Sequence, residues 1–362
     1  MAGNGKQGNS LMSLLAVRNL EVVYQLRQRA VRAIEGVSFT VEKGEYFGIV
    51  GESGSGKTTL ARAILRLLPK NGAISGGQIV LNGKDITHWT DKELRSVRWR
   101  EMSFIPQSAM NALDPVARIG DQILESIRAH EAVSKEEGYR RAGELFQLVG
   151  LDPRRLRDYP HQFSGGMRQR VLIAMSLSLN PDLIVADEPT TALDVIVKDQ
   201  ILDRIDRIQK QFQKSLILVT HDISVVAENC DKTIVMYGGK IVEYAATGPL
   251  LRRPYHPYTL GLKNAFPRLK GPMQELISIP GSPPDLLNPP TGCRFHPRCP
   301  FVQQRCIDET PAMAEVEPNH FSACHFPERA QEFREKAADG QLWKQAKERN
   351  DREMQNKAAV RA

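Results

Sequence analysis

GESGSGKTT, residues 51–59, follows the apolar run EYFGIV and leads into LARAILRLL. It fits G-x-x-x-x-G-K-[ST] between a strand-like and a helix-like segment, the context in which that spacing has a mechanism. Gly51, Gly54 and Gly56 let backbone N–H groups of the Gly51, Glu52, Ser53, Gly54, Ser55, Gly56, Lys57, Thr58 and Thr59 run turn inward around phosphate oxygens, and the following helix adds its positive end. Lys57 can reach the outer phosphates and the Thr58 hydroxyl a Mg²⁺ ion. The alternative, a glycine-rich turn carrying a surface lysine, does not account for both flanks.

The flanks extend the pattern. LLAVRNLEVVY and GVSFTVEKGEYFGIV read as strands, and GQIVLNGKDI as a hairpin on Asn82-Gly83. Residues 90–179 read as helical, with Thr90 and Glu93 forming a capping box. DLIVAD and SLILVTHD enclose a helical stretch, a strand–helix–strand order that predicts a parallel α/β unit. TIVMYGGKIVEYA reads as a second hairpin on Gly238-Gly239.

In LIVADEP, residues 183–189, an apolar strand ends in Asp187, which can ligate the metal. The adjacent Glu188 can polarise an attacking water. FSGGMRQR, residues 163–170, places Ser164, Gly165, Gly166 and Met167 at a helix start, again a phosphate-binding arrangement. Gln107 in FIPQS, Asp194 in TALD and His221 in THD complete an ordered set. Singly, these residues read as a surface glutamine, a helix cap and a strand-end histidine.

With these motifs in this order, residues 14–250 resemble the ATP-binding cassette (ABC) ATPases. The family's signature is commonly L-S-G-G-Q, so Phe163 and Met167 depart from it at the two ends. The resemblance implies an α/β P-loop NTPase with a RecA-like core, an antiparallel β subdomain and a helical subdomain. It also implies ATP and Mg²⁺ as ligands, with Tyr24 stacking on adenine and Gln107 sensing metal and water. His221 would contact the γ-phosphate, Asp194 would lie in the D-loop, and Ser164 to Met167 would contact ATP held by an opposing second ATPase subunit. For Tyr24, ordinary packing is an equal reading.

A second resemblance, to the ATPase subunits of dipeptide and oligopeptide importers, rests on PYHPYT at residues 254–259 and the cysteine-containing stretch after it, over about residues 250–327. It implies two transmembrane permease subunits, a related second ATPase and an extracytoplasmic solute-binding protein. The chain would sit peripherally on the cytoplasmic face of the inner membrane. A coupling helix of the membrane subunit would dock on the helical region between Gln107 and about residue 160. Nickel and oligosaccharides are alternative loads within the group. A soluble ABC ATPase acting on nucleic acid or ribosomes is the competing class, but such proteins carry paired cassettes or long coiled-coil insertions, neither of which occurs here.

Composition bounds these readings. The 362 residues are 41% hydrophobic with a net charge of +7 spread along the chain, so a solvated surface of mixed sign is expected and no nucleic-acid partner. Residues 1–13 lack the apolar core of a secretory signal and are expected to be disordered. The most apolar window is broken by Asn180, Pro181 and Asp182, short of the roughly 20 residues that span a bilayer.

Residues 251–327 form a proline- and cysteine-rich region, with eleven prolines between 254 and 300, and residues 328–362 a charged helical or flexible tail. Cys293, Cys299, Cys306 and Cys324 suit a soft metal. Their spacing is wider than the tight pairs of common zinc sites, although His296, His320 and His325 lie near enough to keep Zn²⁺ open. The importer resemblance leans to a [4Fe-4S] cluster holding together an appendage too small for its own core. Buried free cysteines are the alternative, and Cys230 is expected simply to pack.

Overall fold

Alternating and continuous runs of Val, Ile, Leu and Phe dictate two sheets. The protein is described by a computed structural model covering residues 13–27, 29–107, 112–191, 193–265 and 279–361, with side chains to 352. The expected N-terminal tail thus lies, but for Ser13, outside the described residues.

The strands are β1 Leu15–Leu26, β2 Arg29–Val41, β3 Tyr46–Val50, β4 Gly72–Leu81, β5 Lys84–Asp85 and β6 Met102–Ile105. They continue with β7 Leu183–Asp187, β8 Ser215–Thr220, β9 Lys232–Tyr237, β10 Lys240–Ala246, β11 Ala314–Glu317 and β12 His320–Ser322.

One sheet is antiparallel in the order β2-β1-β4-β5, with Leu15 paired to Val41 on one side and Leu81 on the other. The second has eight strands in the order β11-β12-β10-β9-β3-β8-β7-β6. From β9 to β6 its pairs are parallel, and β3 and β8 are buried along their whole length, as strands covered on both faces require. The β7–helix–β8 unit, the hairpins at Asn82-Gly83 and Gly238-Gly239, and the Thr90/Glu93 capping box all form as expected. Strand β6 lies within residues 90–179, where only helix was expected.

Helices Ile119–Arg128 and Lys135–Leu148 pack into one cluster with Phe163 and the helix Gly165–Ser176, forming the helical layer beside β6 and β7. The helix Val195–Phe212 crosses between β7 and β8.

The C-terminal region is not a separate knot. Strands β11 and β12 extend the main sheet through β10, pairing Glu243 with Ser322 and Tyr244 with Phe321. Glu243 is fully buried and accepts from the backbone N–H groups of Tyr255 (2.8 Å) and His256 (3.0 Å), with His320 Nε2 at 2.7 Å. PYHPYT is thereby pinned to the sheet, and Pro257 opens the helix Pro257–Asn264 at a position where a missing N–H costs nothing. Phe295, Cys299, Phe333 and Trp343 belong to the same apolar cluster as Tyr237 and Tyr258. The region shares the cassette's core. The tail also packs: Trp343 is 2% exposed, its indole N–H donating to Ala337 O at 3.0 Å.

Candidate active site

Strand β3 ends at Val50, and the chain turns through residues 51–56 into the helix Lys57–Ile64. Gly56 adopts φ 103°, and a Cβ there would meet Ala33 O at 2.9 Å, so both conformation and contact exclude a side chain. Lys57 is buried, its Nζ donating to Gly51 O (2.8 Å) and Glu52 O (2.9 Å). Burial lowers its pKa, opposed by the charges of Glu188, Asp187 and Glu52.

Strand β7 lies two places from β3 in the sheet and delivers Asp187 and Glu188 beside the loop. Thr58 Oγ1 donates to Asp187 Oδ1 at 3.1 Å, joining the two motifs. Asp187 is 1% exposed, and burial raises its pKa, with the Glu188 charge adding and the Thr58 hydrogen bond opposing. A buried carboxylate of raised pKa beside a hydroxyl is the donor set a hard cation such as Mg²⁺ satisfies, because the cation restores the charged form.

Glu188 takes φ 45°, a left-handed conformation uncommon for a residue with a Cβ, and its N–H donates to Val219 O at 2.8 Å. Such backbone costs about 1–3 kcal/mol and persists where the surroundings hold it. Its carboxylate accepts from Gln107 Nε2 (3.1 Å) and Thr191 Oγ1 (2.8 Å), and His221 Nδ1 lies 3.2 Å from Oε1. Burial alone would raise the pKa of Glu188, but the Thr191 and His221 hydrogen bonds and the charges of His221 and Lys57 lower it, so the group is an anion at neutral pH.

A cleft of about 190 Å³ is lined by Ser53, Gly54, Gly56, Lys57, Thr58, Thr59, Gln107 and Glu188, with Ala33 and Leu286. His221 joins through Glu188. Tyr24 shares a 3.3 Å hydrogen bond with Thr59 Oγ1 but is not among the lining residues. Ser164 to Met167 also lie outside this lining, with Ser164 and Gly165 exposed. Ser164 Oγ caps its helix by accepting from Met167 N at 3.3 Å, and a Cβ on Gly166 would meet Val197 Cγ1 at 2.4 Å. Asp194 caps the next helix by accepting from Val197 N at 2.9 Å.

Thr191, Leu286 and Ala33 were not anticipated. Thr191 follows EPT and precedes ALD, so its nearness to Glu188 had a local signal, whereas Ala33 and Leu286 reach the cleft only through tertiary packing.

Residues 34–191 match the family described as ABC transporter, and residues 242–306 the one described as oligopeptide/dipeptide transporter, C-terminal region. A probable peptide ABC transporter ATP-binding protein of Sinorhizobium fredii is 45% identical, the match covering 86% of this chain and 94% of that protein. The chain belongs to the ABC transporter ATP-binding proteins. An oligopeptide transport ATP-binding protein of Salmonella typhimurium is 42% identical over 87% of this chain and 94% of its own length. Among solved structures, a dimeric ATP-binding cassette in a post-hydrolysis state with ADP and phosphate aligns at TM-score 0.59 and 28% identity, covering 64% of this chain and 98% of that one. The fold is that of an ABC ATPase, and the enzyme hydrolyses ATP to ADP and phosphate.

The four cysteines of this ABC ATPase line one small cavity of about 20 Å³, walled by Pro257, Phe295, Phe301, Phe326 and Phe333. The volume is about that of one water. Burial pushes Cys293 up to about 11 and Cys324 up to about 12, and Cys299 well above the usual thiol range. Among the described residues no group of three or more His, Cys, Asp or Glu is arranged to hold a metal ion, so the expected metal set is not shown. Of the nearby histidines, His320 is committed to Glu243, and His325 Nε2 lies 2.8 Å from Glu309 O. Cys230 is buried in the core, as expected. No helix among the described residues is long and apolar enough to cross a membrane.

Proposed function

We propose that this chain is the ATP-hydrolysing subunit of an importer for oligopeptides or dipeptides. The observation that carries the reading is the convergence of Lys57, Thr58, Gln107 and Glu188 on one cleft, with Thr58 joined to Asp187. The peptide load is supported by the peptide and oligopeptide transport named for relatives matched over almost their whole length.

In this reading the amides of residues 51–59 and Lys57 bind the phosphates of ATP, and Tyr24 lies on the adenine side of Thr59. Thr58, Asp187 and Gln107 would hold Mg²⁺, which neutralises phosphate charge. Glu188 orients and polarises the attacking water, with His221 and Gln107 fixing its carboxylate. Ser164, Gly165, Gly166 and Met167, lying away from the chain's own cleft, complete the site of a second ATPase subunit, and Asp194 stands at the same junction. ATP-driven closure then moves two permease subunits supplied by a solute-binding protein, at the cytoplasmic face of the membrane.

The division at about residues 14–250, 251–327 and 328–362 is functional in this proposal, since the parts share one core. For the cysteines we propose a cluster site: four soft donors lining one apolar cavity suit a [4Fe-4S] ligand set, with Zn²⁺ as the alternative. Absorption near ~400 nm with stoichiometric iron in anaerobically purified protein supports it; a colourless, iron-free protein with four titratable thiols rejects it.

Affinity purification from the native host tests the transport reading. Two membrane subunits and a peptide-binding protein should co-purify, and recovery of nickel- or sugar-binding partners, or of nucleic acid at physiological salt, would contradict it. Ser164→Ala should bind ATP normally yet fail to form ATP-dependent dimers.

A further inference from the structure

Outside the catalytic cluster, the C-terminal region is tied to the phosphate loop through Glu52. Arg298, 2% exposed, donates from Nη1 to Glu52 Oε2 at 2.6 Å and from Nη2 to Glu52 Oε1 at 2.8 Å. This is a bidentate pair across 246 positions of sequence. The guanidinium also donates to Pro280 O (2.6 Å), Ile279 O and Gly281 O, and lies 3.3 Å from Tyr237 OH. The Glu52 N–H donates to Tyr258 OH at 2.8 Å, so a residue of PYHPYT holds the same loop residue. Glu52 O in turn accepts from Lys57 Nζ.

Glu52 therefore places a carboxylate on the backbone that wraps the phosphates. An unpaired anion there would repel a triphosphate in a partly buried, poorly screened position. Arg298 is buried, so the charge of Glu52 is met inside the protein rather than by solvent.

We propose that Arg298 is a positioning residue for ATP binding: it cancels the Glu52 charge and fixes the phosphate loop from the C-terminal region. The inference rests on the reading of residues 51–59 as the ATP site and assigns that region a direct task in nucleotide binding. It gives opposite signs to the two partners. Removing Arg298 leaves an unpaired carboxylate on a residue of the phosphate loop, whereas removing the Glu52 charge leaves an unpaired cation beside that loop.

The test is titration of the full-length protein with a fluorescent ATP analogue, together with steady-state ATP turnover. Arg298→Gln should weaken nucleotide affinity roughly tenfold and raise KM alike, with kcat within about twofold. Glu52→Gln should bind at least as tightly as the parent, and the Glu52→Gln/Arg298→Gln double variant should recover affinity to within about threefold of it. A purely structural contact would weaken binding in both single variants, with the same sign. Unchanged affinity in Arg298→Gln, a double variant no better than that single one, or weakened binding by Glu52→Gln overturns the proposal. If Arg298→Gln does not fold, the sign of the Glu52→Gln effect alone decides. Lys57→Ala separates the two levels: equal binding by parent and Lys57→Ala would overturn the ATP-site reading itself.

Discussion

His221 Nδ1 stands 3.2 Å from Oε1 of Glu188, while Thr191 and Gln107 occupy Oε2. The carboxylate that faces the cleft is thus held at both oxygens by three separate loops. His221→Ala should leave ATP binding within a few-fold and lower turnover by roughly 10²-fold, the usual cost of losing one preorganised polar group at a reacting centre. Single-turnover measurement at saturating ATP checks this, and unchanged turnover would remove His221 from the chemistry.

Asp187 makes a prediction of opposite sign for stability and activity. Its folded pKa is raised by burial, so its charge costs stability above that pKa and the cost is relieved as pH falls through it. Asp187→Asn should therefore melt no lower than the parent at pH 8 without Mg²⁺, yet lose roughly 10²-fold or more of Mg²⁺-dependent turnover. A lower melting temperature at pH 8 or retained turnover would contradict the assignment.

His256 is 1% exposed, its Nδ1 accepts from Tyr258 N at 3.1 Å, and burial pushes its pKa down to about 3. The unfolded chain takes up the proton near pH 6.5 and the folded one does not. The stabilising difference is complete above pH 6.5 and is lost as pH falls, by about 1.4 kcal/mol per pH unit. Denaturant unfolding at pH 7.5 and 5.5 should show the parent losing about 1.4 kcal/mol more than His256→Gln. Equal losses would mean that His256 is protonated in the fold.

The features legible in the sequence are those whose cause is local. Glycines between a buried strand and a helix mark the phosphate loop, and Asn82-Gly83 and Gly238-Gly239 can close hairpins wherever they lie. Strand β6 was missed because four residues carry no period, and β11 and β12 because such short strands exist only by pairing, β12 onto β10 and β11 onto β12. Trp343 looked like part of a solvated tail because the helix around it is mostly charged, and tertiary packing, including its approach to Gly261 of the helix Pro257–Asn264, buries it. The pairing of Arg298 with Glu52 has no local trace at all. Cysteine spacing likewise suggested a metal set, yet spacing does not say how closely the thiols approach.

The central claim is that Glu188 is the group that activates water in a site closed by a second ATPase subunit. Glu188→Gln keeps shape and hydrogen-bond reach while removing the charge. Rapid-quench measurement of ATP cleavage by this variant, with its elution volume followed in the presence of Mg²⁺ and ATP, should show hydrolysis reduced by at least about 10²-fold and a stable ATP-bound dimer. Hydrolysis at the parent rate with no retained dimer would contradict the account.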